Sequence, residues 1–209
     1  MDVMAILLAS LRQHHRGFVV KLMDQIFEEI LRALERNDFK ESQRRIALIK
    51  FIGECYNFKV VHTDTLFDLL YRLINLSPPS TNPSPDASPE DLYMKAFDSP
   101  SDSFRIRLIC TLLDSLGRYF HRGPRKQSMD RFLVFFQRYI YSKSYVLMDL
   151  EFMILDTFDQ LRPALLRFQS HEEADEVCRL IEDRETKGKE VGDILGSYQR
   201  DGGGYDYYY

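Results

Sequence analysis

Catalysis or metal binding would need His, Cys, Asp, Glu or Ser side chains at spacings that bring them together, and few candidates exist. The five histidines are His14, His15, His62, His121 and His171. His14 and His15 are adjacent and point in different directions on a helix, whereas two metal ligands on one face need the i, i+4 spacing. His62, His121 and His171 fall near expected helix ends, where an imidazole caps carbonyls or meets water. Cys55, Cys110 and Cys178 form no CxxC motif and no Cys/His pair with ligand spacing. They read as buried thiols of a reducing compartment. The carboxylate pairs Glu28/Glu29 and Glu172/Glu173 fall on solvated faces. "DGGG" has neither a strand before it nor a helix after it, so it cannot cradle a phosphate. No catalytic residue, cofactor or metal is expected, and the chain reads as a non-enzyme.

Binding signals are stronger. "GRYFHRGPRKQSMDR" combines Arg118, Arg122, Arg125, Lys126 and Arg131 with Tyr119 and Phe120 around a helical corner. Clustered cations attract phosphates, and exposed rings stack on unpaired bases. With Arg105 and Arg107 on the preceding helix, these residues make a candidate RNA-binding set. The alternative is that the two aromatics belong to the core and the cations solvate a turn. A formal charge of −4 hides an asymmetry: Arg118 to Lys143 holds seven bases and one acid, whereas Asp149 to the end holds 15 acids and seven bases. Such a split suggests two kinds of surface.

The elements that must position these residues are helical throughout. Leu22, Ile26, Ile30 and Leu34 recur at the period of one helical face. Asp38 then offers a cap to a helix in which Leu48, Ile49, Ile52, Cys55 and Tyr56 form a broad stripe. Arg44 and Arg45 head that helix, their stems expected along its edge and their charges in water. Gly53, in mid-helix, is expected to let a neighbour approach closely. "TDTLFDLLYRLINL" starts at a Thr63 or Asp64 cap, and four later segments, together with Asp2 to Gln13, bring the expectation to eight helices and no strand. The runs "FLVFF" and similar keep helical spacing. Short connections between paired helices predict an all-α, HEAT-like α-solenoid of antiparallel pairs, with a closed bundle as the competing arrangement. No stretch approaches the ~18 apolar residues of a membrane span. A cytoplasmic or perinuclear protein is expected.

The predicted organisation is helical repeats over 1–76, a Pro/Ser-rich loop over 77–103, further repeats of the same domain over 104–186 and a Gly/Tyr tail over 187–209. The loop holds six of eight prolines and four Ser-Pro steps, at Ser77, Ser84, Ser88 and Ser99, which are potential proline-directed phosphorylation sites.

The blocks "QRRIALIKFIGECYNF", "SFRIRLICTLLDSLGRYFHRG", "MDRFLVFFQRYI" and "LEFMILDTFDQLRP", in this order, resemble the third of the middle domains of initiation factor four-G type in nonsense-mediated mRNA decay adaptors. The opening "LLASLRQHHRGFVVKLMDQIFEEI" fits from the second helix of that domain, and the resemblance covers about Val3 to Glu185. It implies a HEAT-type fold and an adaptor surface that binds the RNA-recognition-motif domain of up-frameshift protein three, with some RNA affinity and links to other mRNA decay factors. By position it points to Glu54, with Asn57, His62, Asp64 and Asp68 around it, as the partner-binding residues. His62 stands where the family has an acid, and "SYVLMD" shortens a longer family segment. The family's preceding helix has no match before Val3, so an apolar face near Ile6, Leu7 and Leu11 is expected to be exposed.

Overall fold

The computed structural model describes residues 2–75, 98–116, 119–120 and 124–187. Among them are eight α-helices and no extended strand: α1 (Asp2–His14), α2 (Arg16–Arg36), α3 (Ser42–Asn57), α4 (Thr63–Asn75), α5 (Phe104–Leu116), α6 (Pro124–Tyr141), α7 (Met148–Leu161) and α8 (His171–Thr186). The expected all-α helical-repeat class is what these residues adopt. The chain divides into two compact units, Met1–Leu116 and Gly117–Tyr209.

In the first unit, α2 buries Val19, Met23, Ile30, Ala33 and Leu34 and leaves the Glu28–Arg32 ion pair (2.5 Å) on its wet face. It ends at Asn37, whose left-handed backbone (φ 43°) lets its N–H bond to the Ala33 carbonyl. The Asp38 carboxylate accepts from the Lys40 N–H (2.9 Å), so it caps a short 3-10 turn, Phe39–Glu41, that feeds α3. Helix α3 then packs against α1, α2 and α5. Its N-terminal Arg45 meets Phe104 at the start of α5, and its C-terminal Asn57 meets Ser115 at the end of α5. The two helices therefore run the same way. Likewise Arg12, late in α1, reaches the turn that ends α3. Alternate helices standing side by side in one direction are what stacked helix pairs produce.

Two sequence expectations change here. Arg44 stays wet and pairs with Glu29 (2.9 Å), but Arg45 is only 4% exposed. Its Nη1 donates to Asn37 Oδ1 (2.8 Å), its Nη2 donates to the Asp38 carbonyl (2.9 Å), and its guanidinium lies 4.3 Å from the Phe104 ring centre. Burial lowers its pKa, opposed by the carboxylates of Asp102, Asp38 and Glu41. The wet-edge reading failed for Arg45 because α5, distant in sequence, covers it. Second, residues 98–103 of the loop expected over 77–103 stay non-helical up to the start of α5 at Phe104 but are packed at both ends rather than exposed throughout. Asp98 and Ser103 are buried, and Asp102 accepts from Asn37 Nδ2 (2.7 Å) and from the Phe104 N–H (2.9 Å). Ser77, Ser84 and Ser88 lie outside the described residues, as does the tail beyond 187. Ile6 and Leu7 are exposed as expected, and Leu11 is half-buried.

In the second unit, Phe132, Leu133, Val134 and Phe136 of α6 are fully buried. Phe136 stacks with Phe132 (5.9 Å) and with Phe158 of α7 (6.0 Å), so the "FLVFF" run is helical core. The Ser170 hydroxyl accepts from the Glu173 N–H (3.2 Å) and Glu173 reaches back to the Gln169 N–H (2.9 Å), a capping-box arrangement that starts α8. Arg162 is buried after α7 and donates to Asp130 and to the carbonyls of Leu161 and Phe120.

Two outcomes test this packing. A Cβ on Gly53 would lie 2.6 Å from Ser115 Cβ, an atom fixed to the α5 backbone. Gly53→Ala should therefore lower stability by about 1–3 kcal/mol in urea titrations despite the better helix propensity of Ala, and Ser115→Gly should recover part of that loss in the double variant. Burial also raises the thiols of Cys55 and Cys178 from the ordinary 9.0 to about 12. Unfolded thiols ionise first, so stability should fall as pH rises from 9 toward 12, and iodoacetamide at neutral pH should label these thiols only in denaturant.

Candidate functional site

The residues singled out for partner binding gather where α3 ends and α4 begins. Glu54 and Asn57 are half-buried on the last turn of α3, and His62, Asp64 and Asp68 are exposed. Asn57 Nδ2 donates to Glu54 Oε2 (3.4 Å) and to the Ser115 carbonyl (3.3 Å), which ties the Glu54 side chain to the end of α5. The other amide atom, Asn57 Oδ1, is buried with no partner among the described residues.

The turn itself is a Schellman cap. The Val60 N–H bonds to the Cys55 carbonyl (2.8 Å), the Lys59 N–H bonds to the Tyr56 carbonyl (2.9 Å), and Lys59 adopts φ 60°. Glycine ordinarily fills that left-handed position, because a Cβ there crowds the following carbonyl at a cost of roughly 1–2 kcal/mol. Arg12 donates to the Lys59 carbonyl, and its Nη2 lies 3.4 Å from His62 Nε2, so α1 holds the turn from outside. Tyr56 Oη and Thr63 Oγ1 are 3.3 Å apart, which links the two helices across it.

Helix α4 starts at Thr63, with His62 rather than Thr63 or Asp64 flanking it; the His62 carbonyl accepts from the Leu66 N–H (3.1 Å). Asp64 thus sits in the first turn, where the helix dipole favours a carboxylate, and Asp68 follows at i+4 on the same wet side. Lys50 and Lys59 are also exposed on these elements, so the surface is mixed in sign rather than strongly acidic. Neither Lys59 nor Arg12 carries a signal readable from residue order: a Schellman cap without glycine has no composition cue, and Arg12 acts across 47 residues.

The basic set is dispersed. Arg105 is 2% exposed and its Nε is 3.7 Å from Asp98 Oδ1. It therefore leaves the candidate RNA surface, because α5 turns that position inward. Arg107 and Lys126 are half-buried and Arg125 is exposed, whereas Arg118 and Arg122 lie outside the described residues. Tyr119 is exposed and Phe120 is core, so the aromatic pair splits between the two readings. Arg131 makes a bidentate pair with Glu185 of α8 (2.5 and 2.7 Å), and Arg138 reaches both Asp175 (3.5 Å) and Glu182 (3.5 Å). Two of the seven bases of that run are thereby paired between α6 and α8.

An open depression runs along α8, lined by His171, Glu172, Asp175, Glu176 and Arg179, all from that one helix. No group of three or more His, Cys, Asp or Glu side chains among the described residues could hold a metal ion. No helix among them is long and apolar enough to cross a membrane. His121 lies outside the described residues.

The placement of the arginines is testable. Arg105→Ala leaves the buried Asp98 carboxylate without this guanidinium and should destabilise the fold by about 3–5 kcal/mol in urea titrations. Arg125→Glu with Lys126→Glu should change stability by less than ~1 kcal/mol.

Comparison with known proteins agrees with the helical-repeat architecture. The family model described as "MIF4G domain" matches residues 2–164. "Regulator of nonsense transcripts UPF2" of Arabidopsis thaliana is 36% identical over 183 residues, which cover 88% of this chain and 15% of that protein. "Regulator of nonsense transcripts 2" of Homo sapiens is 38% identical over 188 residues, 86% of this chain and 14% of that protein. "Nonsense-mediated mRNA decay protein 2" of Saccharomyces cerevisiae is 31% identical over 152 residues, 72% of this chain and 13% of that protein. The chain thus spans about one seventh of the length of these relatives. With its helix pairs and a family match over most of its length, the chain belongs to the MIF4G domain family.

Proposed function

We propose that this chain acts as a non-catalytic adaptor domain in nonsense-mediated mRNA decay. It corresponds to the third middle domain of initiation factor four-G type in the longer relatives and works among other mRNA decay factors in the cytoplasm. Its partner is the RNA-recognition-motif domain of up-frameshift protein three, which meets Glu54, with Asp64 and Asp68 as helpers and Asn57 and His62 between them. The observation that carries this reading is the Glu54–Asn57–Ser115 tether. A carboxylate held in place loses little side-chain freedom on binding, so a facing Arg or Lys gains more from it than from a mobile acid. The relatives whose names state nonsense-transcript regulation supply the pathway. A second reading, RNA binding, rests on exposed Arg125 in the same unit as exposed Tyr119. It predicts affinity that falls steeply with salt.

Glu54→Lys should weaken capture of the partner's RNA-recognition domain roughly tenfold or more while the helical circular-dichroism signal stays unchanged. Unchanged affinity in that pull-down removes Glu54 from the interface. For the second reading, a labelled single-stranded RNA whose anisotropy does not change at low salt excludes the basic surface.

A further inference from the structure

The second unit carries an apolar face that neither its core nor the proposed partner surface uses. Tyr145, Met148, Phe152 and Leu155 are 55%, 72%, 58% and 41% exposed. The three on α7, Met148, Phe152 and Leu155, are spaced by four and three residues, the d-a-d rhythm of a coiled-coil seam, and Tyr145 stands in the non-helical segment before them. Across Met148–Leu161 the opposite face buries Leu150, Thr157, Phe158 and Leu161, so the helix is fixed with this seam turned to solvent. A row of three large apolar side chains on one exposed helical face is more than scattered surface hydrophobicity.

Charge tells what would cover it. In the same heptad register Asp149, Glu151 and Asp156 occupy the flanking e and g positions, and residues 144–160 contain no Lys, Arg or His. Glu151 and Asp156 are exposed and form no ion pair with any described residue. The nearest cations in sequence are engaged: Lys143 is buried over the Tyr139 ring (4.6 Å), Arg162 is buried on Asp130, and Arg167 pairs with Asp159. A second copy of this face would set acid against acid along both edges, which opposes self-pairing. We propose that the exposed side of α7, with the segment leading into it, docks a cationic amphipathic helix, whose apolar residues interleave with Met148, Phe152 and Leu155 and whose lysines or arginines meet Glu151 and Asp156. Glu54 lies in the other unit.

The test uses the whole chain and a fluorescein-labelled peptide of about three heptads with Leu at a and d and Lys at e and g. Controls are the same peptide with Glu at e and g and an order-scrambled peptide of the Lys composition. The Lys peptide should bind, and more weakly as salt rises. Phe152→Asp should reduce its affinity roughly tenfold or more. Glu151→Lys with Asp156→Lys should lose the Lys peptide and gain the Glu peptide. All three positions are exposed, and circular dichroism confirms that the variants remain helical. The proposal is overturned if the Lys peptide binds no better than its scramble, or if Phe152→Asp has no effect. It is also overturned if sedimentation shows self-association that Phe152→Asp abolishes, because a second copy would then be the occupant.

Discussion

Helix α3 can lie close against α5 because position 53 has no side chain, and the order of the first unit follows from that approach. With Ser115 Cβ only 2.6 Å from where a Cβ would stand, any larger residue would push the two helices apart. The closeness brings the Ser115 carbonyl within reach of Asn57, and Asn57 in turn holds Glu54. At the other end the same pair of helices closes over Arg45, which exchanges water for Asn37, the Asp38 carbonyl and the Phe104 ring. One small residue thereby sets both a buried cation and the posture of the candidate partner-binding carboxylate. The energetic logic is that of any packed interior: density is near that of a crystal, so a missing or added methyl group propagates.

Charge is used differently in the two units. In the first, buried Arg45 bridges α3 to the start of α5 through the Phe104 ring, and buried Arg105 ties α5 to Asp98 in the segment before it; their value lies in specifying which surfaces meet rather than in raw stabilisation. In the second, Arg131 and Arg138 of α6 face Glu185, Asp175 and Glu182 of α8 while also lying over the Phe135 ring. These pairs are partly exposed, so each contributes modestly. Their consequence for function is larger than their energy. Within a run of bases that looks like a nucleic-acid surface in one dimension, Arg131 and Arg138 are matched, in three, by acids that follow them.

The turn between α3 and α4 combines two devices that oppose each other. Lys59 accepts a left-handed backbone that disfavours any residue with a Cβ, and Arg12 from α1 binds its carbonyl and so holds the conformation. The result fixes where α4 begins and hence which way Asp64 and Asp68 project. Loops that carry binding residues are commonly held by the rigid elements around them, and here the support comes from the first helix of the unit.

Much was legible from the residues alone. Apolar periodicity required helices because burying one face at a period near 3.6 is the only way these segments leave water, and the count of eight, the helical "FLVFF" and the close-approach role of Gly53 followed from it. Asp38 announced its capping bond because the chemistry is local. Ordered blocks of sequence also carried the family. What tertiary structure alone decided is which side chains are covered and by what: that Arg45 and Arg105 are buried and Arg44 is not, that residues 98–103 pack, that Arg131 and Arg138 meet α8, and that Arg12 holds the Lys59 turn. Periodicity specifies which face of a helix is buried but not which distant helix covers it, and a charge reads the same in sequence whether its partner is water or a carboxylate fifty residues away.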